Sequence, residues 1–238
     1  WYETREDVRD ILRLIHFPVS PVQKPAYERC VRNDARNSTF AALIDVDEFL
    51  VLKTFDNVVD FMDHYCDFRC GQLSLNWQTM GTSGERQYAP VPVLRRNVHY
   101  DRVKAMHATI KVIVRPPHVH PQMRWRHSVM LKKGKTWVDT NHKRHSHPAG
   151  DYRRQHNYDQ PLDVAVLYHY PFRSEGEFQY KTCSKGTSLH ERGQTPMCDN
   201  PKYYTLYNGT EFDDTAWRQL TRMVPKYRVY GKAFNITS

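Results

Sequence analysis

The stretch Thr39-Phe40-Ala41-Ala42-Leu43-Ile44-Asp45-Val46-Asp47-Glu48-Phe49-Leu50 decides the fold. Its first half is a continuous apolar run, the pattern of a central strand covered on both faces. The run ends in three acids. In open α/β sheets, ligands bind at the carboxyl ends of strands. An extended backbone alternates its side chains, so Asp45 and Asp47 are expected on the same side. There they would offer oxygen ligands to one hard cation, Mn2+ or Mg2+, whose shell is completed by substrate phosphates and water. Enzymes that form an aspartyl-phosphate also carry DxDx(T/V) after a strand. Phe49 stands at the position where they need Thr or Val, so that chemistry is set aside.

Working outward, helices and strands alternate. Thr4 to Ile15 has helical spacing of Val8, Ile11, Leu12 and Ile15, and Ile15 to Pro18 reads as a short strand. Ser20-Pro21 opens a second helix running to about Arg36. Asp56 is expected to cap a third, with Val58, Val59, Met62, Tyr65 and Cys66 facing inward. Gln72 to Trp77, Thr109 to Arg115 and Asp163 to His169 read as strands. Ser128 to Leu131 and Thr136 to Val138 are expected to form a hairpin around Lys133-Gly134. Ser174 to Lys185 and Asp213 to Met223 read as helices. This alternation predicts an α/β layered domain. Residues 1–238 are read as one domain, with 187–238 as its C-terminal extension.

Bulk properties narrow the function classes. The chain has 238 residues, 39% of them hydrophobic and 13% aromatic, which excludes a disordered composition. The formal net charge of +9 suits an anionic partner. The lysines and arginines are scattered, however, and no helix-turn-helix, zinc-finger or RNA-stacking pattern appears, so no nucleic acid is expected. No apolar run is long enough to span a bilayer. Of five cysteines none forms a CxxC pair, which argues against a zinc knuckle. Cys66 with Cys70, and Cys183 with Cys198, are open to bridging. Sequons at Asn37, Asn208 and Asn235 add support for a secretory compartment. His142, His145 and His147 are spaced too loosely for a zinc site and read as a polar loop.

Two further motifs carry chemistry. Trp77 to Glu85 (WQTMGTSGE) is a strand ending in a Gly/Ser/Thr loop, where glycines permit close backbone approach to a ligand. Leu167 to Ser174 (LYHYPFRS) places His169 at the end of a second apolar strand, within reach of the same cation. Ser83, Arg173 and Lys181 are candidates to meet the phosphate oxygens of a ligand. Glu85 and Glu48 are candidates for the base that takes a proton from an attacking hydroxyl.

The strings ALIDVDEFLVL, SLNWQTMGTSGE and LYHYPFRSEGEFQYKTCSKG, in this order, resemble the family 92 glycosyltransferases and related family-2-like transferases. Gln23, Tyr27 and Cys30 sit where such proteins carry Q-x-x-A-Y-x-x-C, so the likeness covers about Gln23 to Gly186. It implies a GT-A fold, here without its N-terminal nucleotide-binding strands. It also implies a divalent cation, usually Mn2+, a UDP-sugar donor (often UDP-galactose), a glycan acceptor and inversion at the anomeric carbon. Asp45 and Asp47 match the family's DxD, and His169 matches the histidine of its NHY motif. The family's Asn is Tyr168 here, and Glu85 stands where the family usually has His. The resemblance further implies a Golgi-lumen protein held by a membrane anchor outside this chain. The alternatives are a non-catalytic carbohydrate-binding relative and a basic nucleic-acid-binding module.

Overall fold

The computed structural model describes residues 13–16, 23–102, 105–122, 127–145, 155–184 and 208–225. The expected helix from Thr4 lies mostly outside them, and Arg13 to His16 have no regular structure. Helix α1 spans Gln23–Arg29 and runs into a π-helical turn, Cys30–Asp34. There follow β1 (Ala41–Leu43), β2 (Glu48–Leu52), α2 (Val58–Tyr65), β3 (Cys70–Thr79), α3 (Val93–Arg96), β4 (His99–Tyr100) and β5 (Ile110–Val114). The rest comprises β6 (Thr136–Val138), β7 (Arg144–His145), β8 (Ala165–His169), α4 (Glu175–Gln179), β9 (Glu211–Phe212) and α5 (Thr215–Met223). The molecule is mixed α/β, as the alternation predicts.

Strand β3 is the spine. All ten of its residues are buried. Residues 72–76 pair antiparallel with β5, residues 70–73 pair parallel with β6, and Trp77 to Thr79 pair parallel with β8. Alternation gives it two different faces. Leu73, Leu75 and Trp77 pack with Phe61, Met62 and Tyr65 of α2. The intervening Gln72, Ser74, Asn76 and Gln78 are just as buried, and each engages another segment of chain. Gln72 Oε1 accepts from Val129 N at 2.9 Å, Asn76 Nδ2 donates to His107 O and Asn157 O, and Gln78 Nε2 donates to Asp213 Oδ2. Buried amides left unpaired would each cost about 1–3 kcal/mol, so these bonds fix the loops to the sheet.

Several expectations need correction. The strand before the acids is not central. Among the described strands β1 lies at the sheet edge, pairs only with β5, and ends at Leu43. Ala42 and Ile44 are exposed. An apolar run shows that residues avoid water, not how many neighbouring strands do the covering. Helix α2 is capped by Asn57, whose side chain accepts from Asp60 N, and not by Asp56. Val58 and Val59 face solvent at 44% and 63% exposure, because α2 buries Phe61, Met62 and Tyr65 instead. The expected hairpin around Lys133-Gly134 is absent. β6 pairs parallel with β3 and antiparallel with β7, while Leu131 bridges Val119. The helix from Ser174 keeps its start, with Ser174 accepting from Glu177 N, but turns π-helical at Tyr180–Ser184.

Candidate active site

Asp45 and Asp47 do not lie along a strand. They sit in the turn between β1 and β2, closed by Glu48 N donating to Asp45 O at 3.1 Å. The turn sends the two carboxylates to different partners. Asp45 Oδ1 accepts from Gln23 Nε2 at 2.5 Å and Tyr27 OH at 2.7 Å, and Asp45 Oδ2 accepts from Lys111 Nζ at 2.9 Å. Asp47 Oδ2 accepts from Lys181 Nζ at 2.9 Å. Alternation along an extended backbone therefore misread the geometry. The backbone turns between the two residues, and both oxygens of Asp45 are committed to protein donors.

β2 pairs antiparallel with β8 in a register that sets Glu48 opposite His169, and Tyr170 N donates to Asp47 O at 2.9 Å. The end of β8 is thereby bound to the acidic turn, and the sequence-distant His169 is brought to Asp47. Its ring packs on Trp77 at 3.9 Å between centroids. Burial holds the His169 pKa down to about 3 against the pull of Asp47, so the imidazole is neutral. Its Nδ1 has no hydrogen-bond partner among the described residues.

Glu48 has a side chain with 0% exposure. Its Oε2 accepts from Asp45 N at 2.8 Å, and its Oε1, 3.8 Å from Lys111 Nζ, accepts no hydrogen bond from the described residues. Burial raises its pKa to about 7, against the opposing Lys111 charge. The side chain is enclosed and is joined to the turn through Asp45 N, so no acceptor hydroxyl in solvent reaches it as it stands. Burial would also raise the Asp45 pKa, but the Lys111 charge and the bonds from Tyr27, Lys111 and Gln23 carry it below the ordinary range.

The Gly/Ser/Thr loop is held from several sides. Asn208 Oδ1 accepts from Thr82 N at 2.6 Å. Ser83 Oγ accepts from Val98 N at 2.9 Å and His99 N at 3.0 Å. Asn97 Nδ2 donates to Gly81 O at 2.9 Å and Arg173 O at 2.5 Å. Glu85 O and Arg86 O accept from Glu175 N and Gly176 N, tying the loop to the start of α4. Ser83 (φ 53°) and Arg173 (φ 56°) both adopt the left-handed conformation. Ser83, Glu85 and Arg173 thus belong to one loop assembly, whereas Asp45, Asp47, Glu48, His169 and Lys181 form a joined cluster.

Sequence reasoning left Lys111 out. It lies in Ile110–Val114, and its side chain is 0% exposed. The available signal was a lone charge within an apolar strand, which demands a buried counter-ion. His127 was missed for want of any pattern around it. It stands edge-on to Trp77 with ring centroids 5.5 Å apart. The polar loop expected around His142, His145 and His147 is interrupted by β7, which buries His145. His142 stacks on Tyr65, His145 bonds Asp139 Oδ2 at 2.9 Å, and His147 lies outside the described residues. No group of three or more metal-ligating side chains occurs among the described residues. Cys66 and Cys70 form a disulfide, Cys183 is disulfide-bonded, and Cys30 is free.

The architecture is a mixed α/β domain in which the acidic turn and the terminal histidine form one cluster, while the glycine loop is held by its own set of bonds. The chain matches the model of glycosyltransferase family 92 over residues 22–197, well over half its length, and it belongs to that family. It is therefore a glycosyltransferase, and its partners are a sugar donor and a glycan acceptor. No curated protein matches the chain. No helix among the described residues is long and apolar enough to cross a membrane.

Proposed function

We propose that the chain transfers a sugar, with inversion, from a UDP-sugar such as UDP-galactose to a glycan acceptor, using a divalent cation held by Asp47 and His169. The observation that carries this reading is His169: a neutral, buried imidazole with an unpartnered Nδ1, fixed beside Asp47 by the β2–β8 register. Metal ligation requires imidazole in its neutral form. One carboxylate with one imidazole suits Mn2+ better than Mg2+, which prefers oxygen alone. Asp45, with three protein donors, is better suited to holding the turn than to binding the ion.

A cation at this place neutralises charge on the departing diphosphate. Lys181 reaches Asp47 from the π-helical turn with its side chain 47% exposed, so it can exchange the carboxylate for a phosphate oxygen. We assign Arg173 and Ser83, on the loop assembly, to the donor. Glu85 is partly exposed, whereas Glu48 is sealed from solvent, and Glu85 takes the proton of the acceptor hydroxyl. The disulfide-bonded Cys66, Cys70 and Cys183 support a secretory compartment, and we place the protein in the Golgi lumen.

The test is UDP release and glycan product formation from a panel of UDP-sugars with Mn2+, after chelation and after Mn2+ is restored. Asp47→Ala is expected to abolish transfer with the fold intact, and Glu85→Gln to lower kcat about 100-fold or more. Undiminished turnover in chelator or by Asp47→Ala would refute the metal reading.

A further inference from the structure

Lys111 sits at the centre of the polar cluster, yet nothing in the reaction described above uses it. Its side chain is wholly enclosed in β5. Nζ lies 2.9 Å from Asp45 Oδ2, 3.3 Å from Tyr27 OH and 3.8 Å from Glu48 Oε1, and 5.4 Å from the centre of the Tyr27 ring. Tyr27 OH and Gln23 Nε2 close on the other oxygen of Asp45. Glu48 Oε2 returns to Asp45 N, so the lysine is linked to the backbone of the turn through two carboxylates. A buried ammonium with these partners is a fixed feature of the fold, since removing either member of such a pair strands the other charge away from water.

We propose that Lys111 is a positioning residue: a resident protein cation that fixes Asp45 and Glu48, and so sets the turn from which Asp47 is presented. On this proposal the two acids of the DxD sequence divide their work. Asp45 answers to a lysine inside the protein, and Asp47 answers to the substrate side. The idea rests on the metal reading above and deepens it.

Mn2+ titration of the purified chain, followed by the electron paramagnetic resonance of the free ion and without any donor, tests it. If Lys111 positions the turn, Lys111→Met weakens Mn2+ binding by about 10–100-fold, the range for partners that orient a ligand. It does so although a nearby positive charge has been removed. Asp45→Asn weakens binding similarly, and the double variant Asp45→Asn/Lys111→Met loses no more than the worse single variant, because the pair acts as one unit. Lys111→Arg, which keeps the charge, falls between wild type and Lys111→Met. With a working donor, the KM for UDP-sugar rises in the same order. If Lys111→Met does not fold, the double variant decides, since it removes both charges together.

Tighter Mn2+ binding by Lys111→Met would show that the lysine merely competes with metal at Asp45 and would overturn the proposal. So would wild-type affinity in the double variant, or losses that add. A wild-type chain that binds no Mn2+ would overturn the metal reading itself and this proposal with it. Loss of binding in Asp47→Asn, measured in parallel, identifies the site being titrated.

Discussion

Among the described residues the carboxylate of Asp47 has one partner, Lys181 at 2.9 Å, and that partner is about half exposed. Lys181 is 47% exposed, while the Asp47 side chain is 10% exposed. Exposed ion pairs contribute about 0.2–1 kcal/mol, so Lys181 is an easily displaced competitor for any cation approaching Oδ2. Lys181→Met is therefore expected to tighten Mn2+ binding about two- to fivefold in the absence of donor, and to raise the KM for UDP-sugar. Mn2+ titration and donor kinetics on the same protein check both effects. Equal shifts in the same direction would show that Lys181 is only a structural pair. The contrast with Lys111 is one of burial. The same side chain type forms a fixed strut when enclosed and an exchangeable contact when half exposed.

At the scale of elements, the glycine loop depends on a segment far along the chain. β4 pairs with β9, with His99 opposite Phe212, and Gly81 N donates to His99 O at 2.9 Å. Asn208 holds Thr82 just ahead of β9. Gly209 allows this approach: a Cβ there would fall 2.0 Å from Tyr100 O and 2.4 Å from Asp101 Cα, both backbone atoms that cannot swing aside. Gly209→Ala is expected to cost about 1–3 kcal/mol of stability, the range for forced overpacking, and to lower transfer by releasing Thr82. Thermal unfolding and kcat measured together check it, and a melting temperature equal to wild type would count against the packing argument. The π-helical ends of α1 and α4 are also element-scale features. Period counting registered helices there but not the change of pitch, which depends on how each last turn meets its neighbours.

For the whole molecule, stability is coupled to pH through buried imidazoles. Burial, reinforced by the Lys111 charge, lowers the His127 pKa from 6.5 to about 4. His107, buried beneath Thr79 with its Nδ1 accepting from Thr79 N at 3.1 Å, is shifted in the same direction. Between about pH 4 and 6.5 the unfolded chain binds a proton that folded His127 refuses, so the His127 contribution to stability rises with pH across that window, while Glu48, raised to about 7, works in the opposite direction. His127 alone accounts for about 2–3 kcal/mol of this change. Urea unfolding at about pH 4.5 and pH 7 checks it, with His127→Gln expected to reduce the change in stability by the His127 share while those of His169 and His107 remain. A dependence of equal size in that variant would assign the effect to other groups.

How much of this was readable beforehand differs from one stretch to the next. The sequence by itself determined the α/β class, the strands at Gln72 to Trp77, Thr109 to Arg115 and Asp163 to His169, and the position of His169 at a strand end. These follow from local hydrophobic periodicity and from polar residues interrupting it. The three ordered motifs also placed the chain with the glycosyltransferases, as the family match shows. Only the tertiary structure decided that β1 is an edge strand, that Asp45 and Asp47 face different lysines, and that Glu48 is sealed from solvent. Strand pairing and side-chain partners are contacts between residues distant in the chain. An apolar run or a lone lysine states that such a partner is needed, but the choice of partner is made when the sheet assembles.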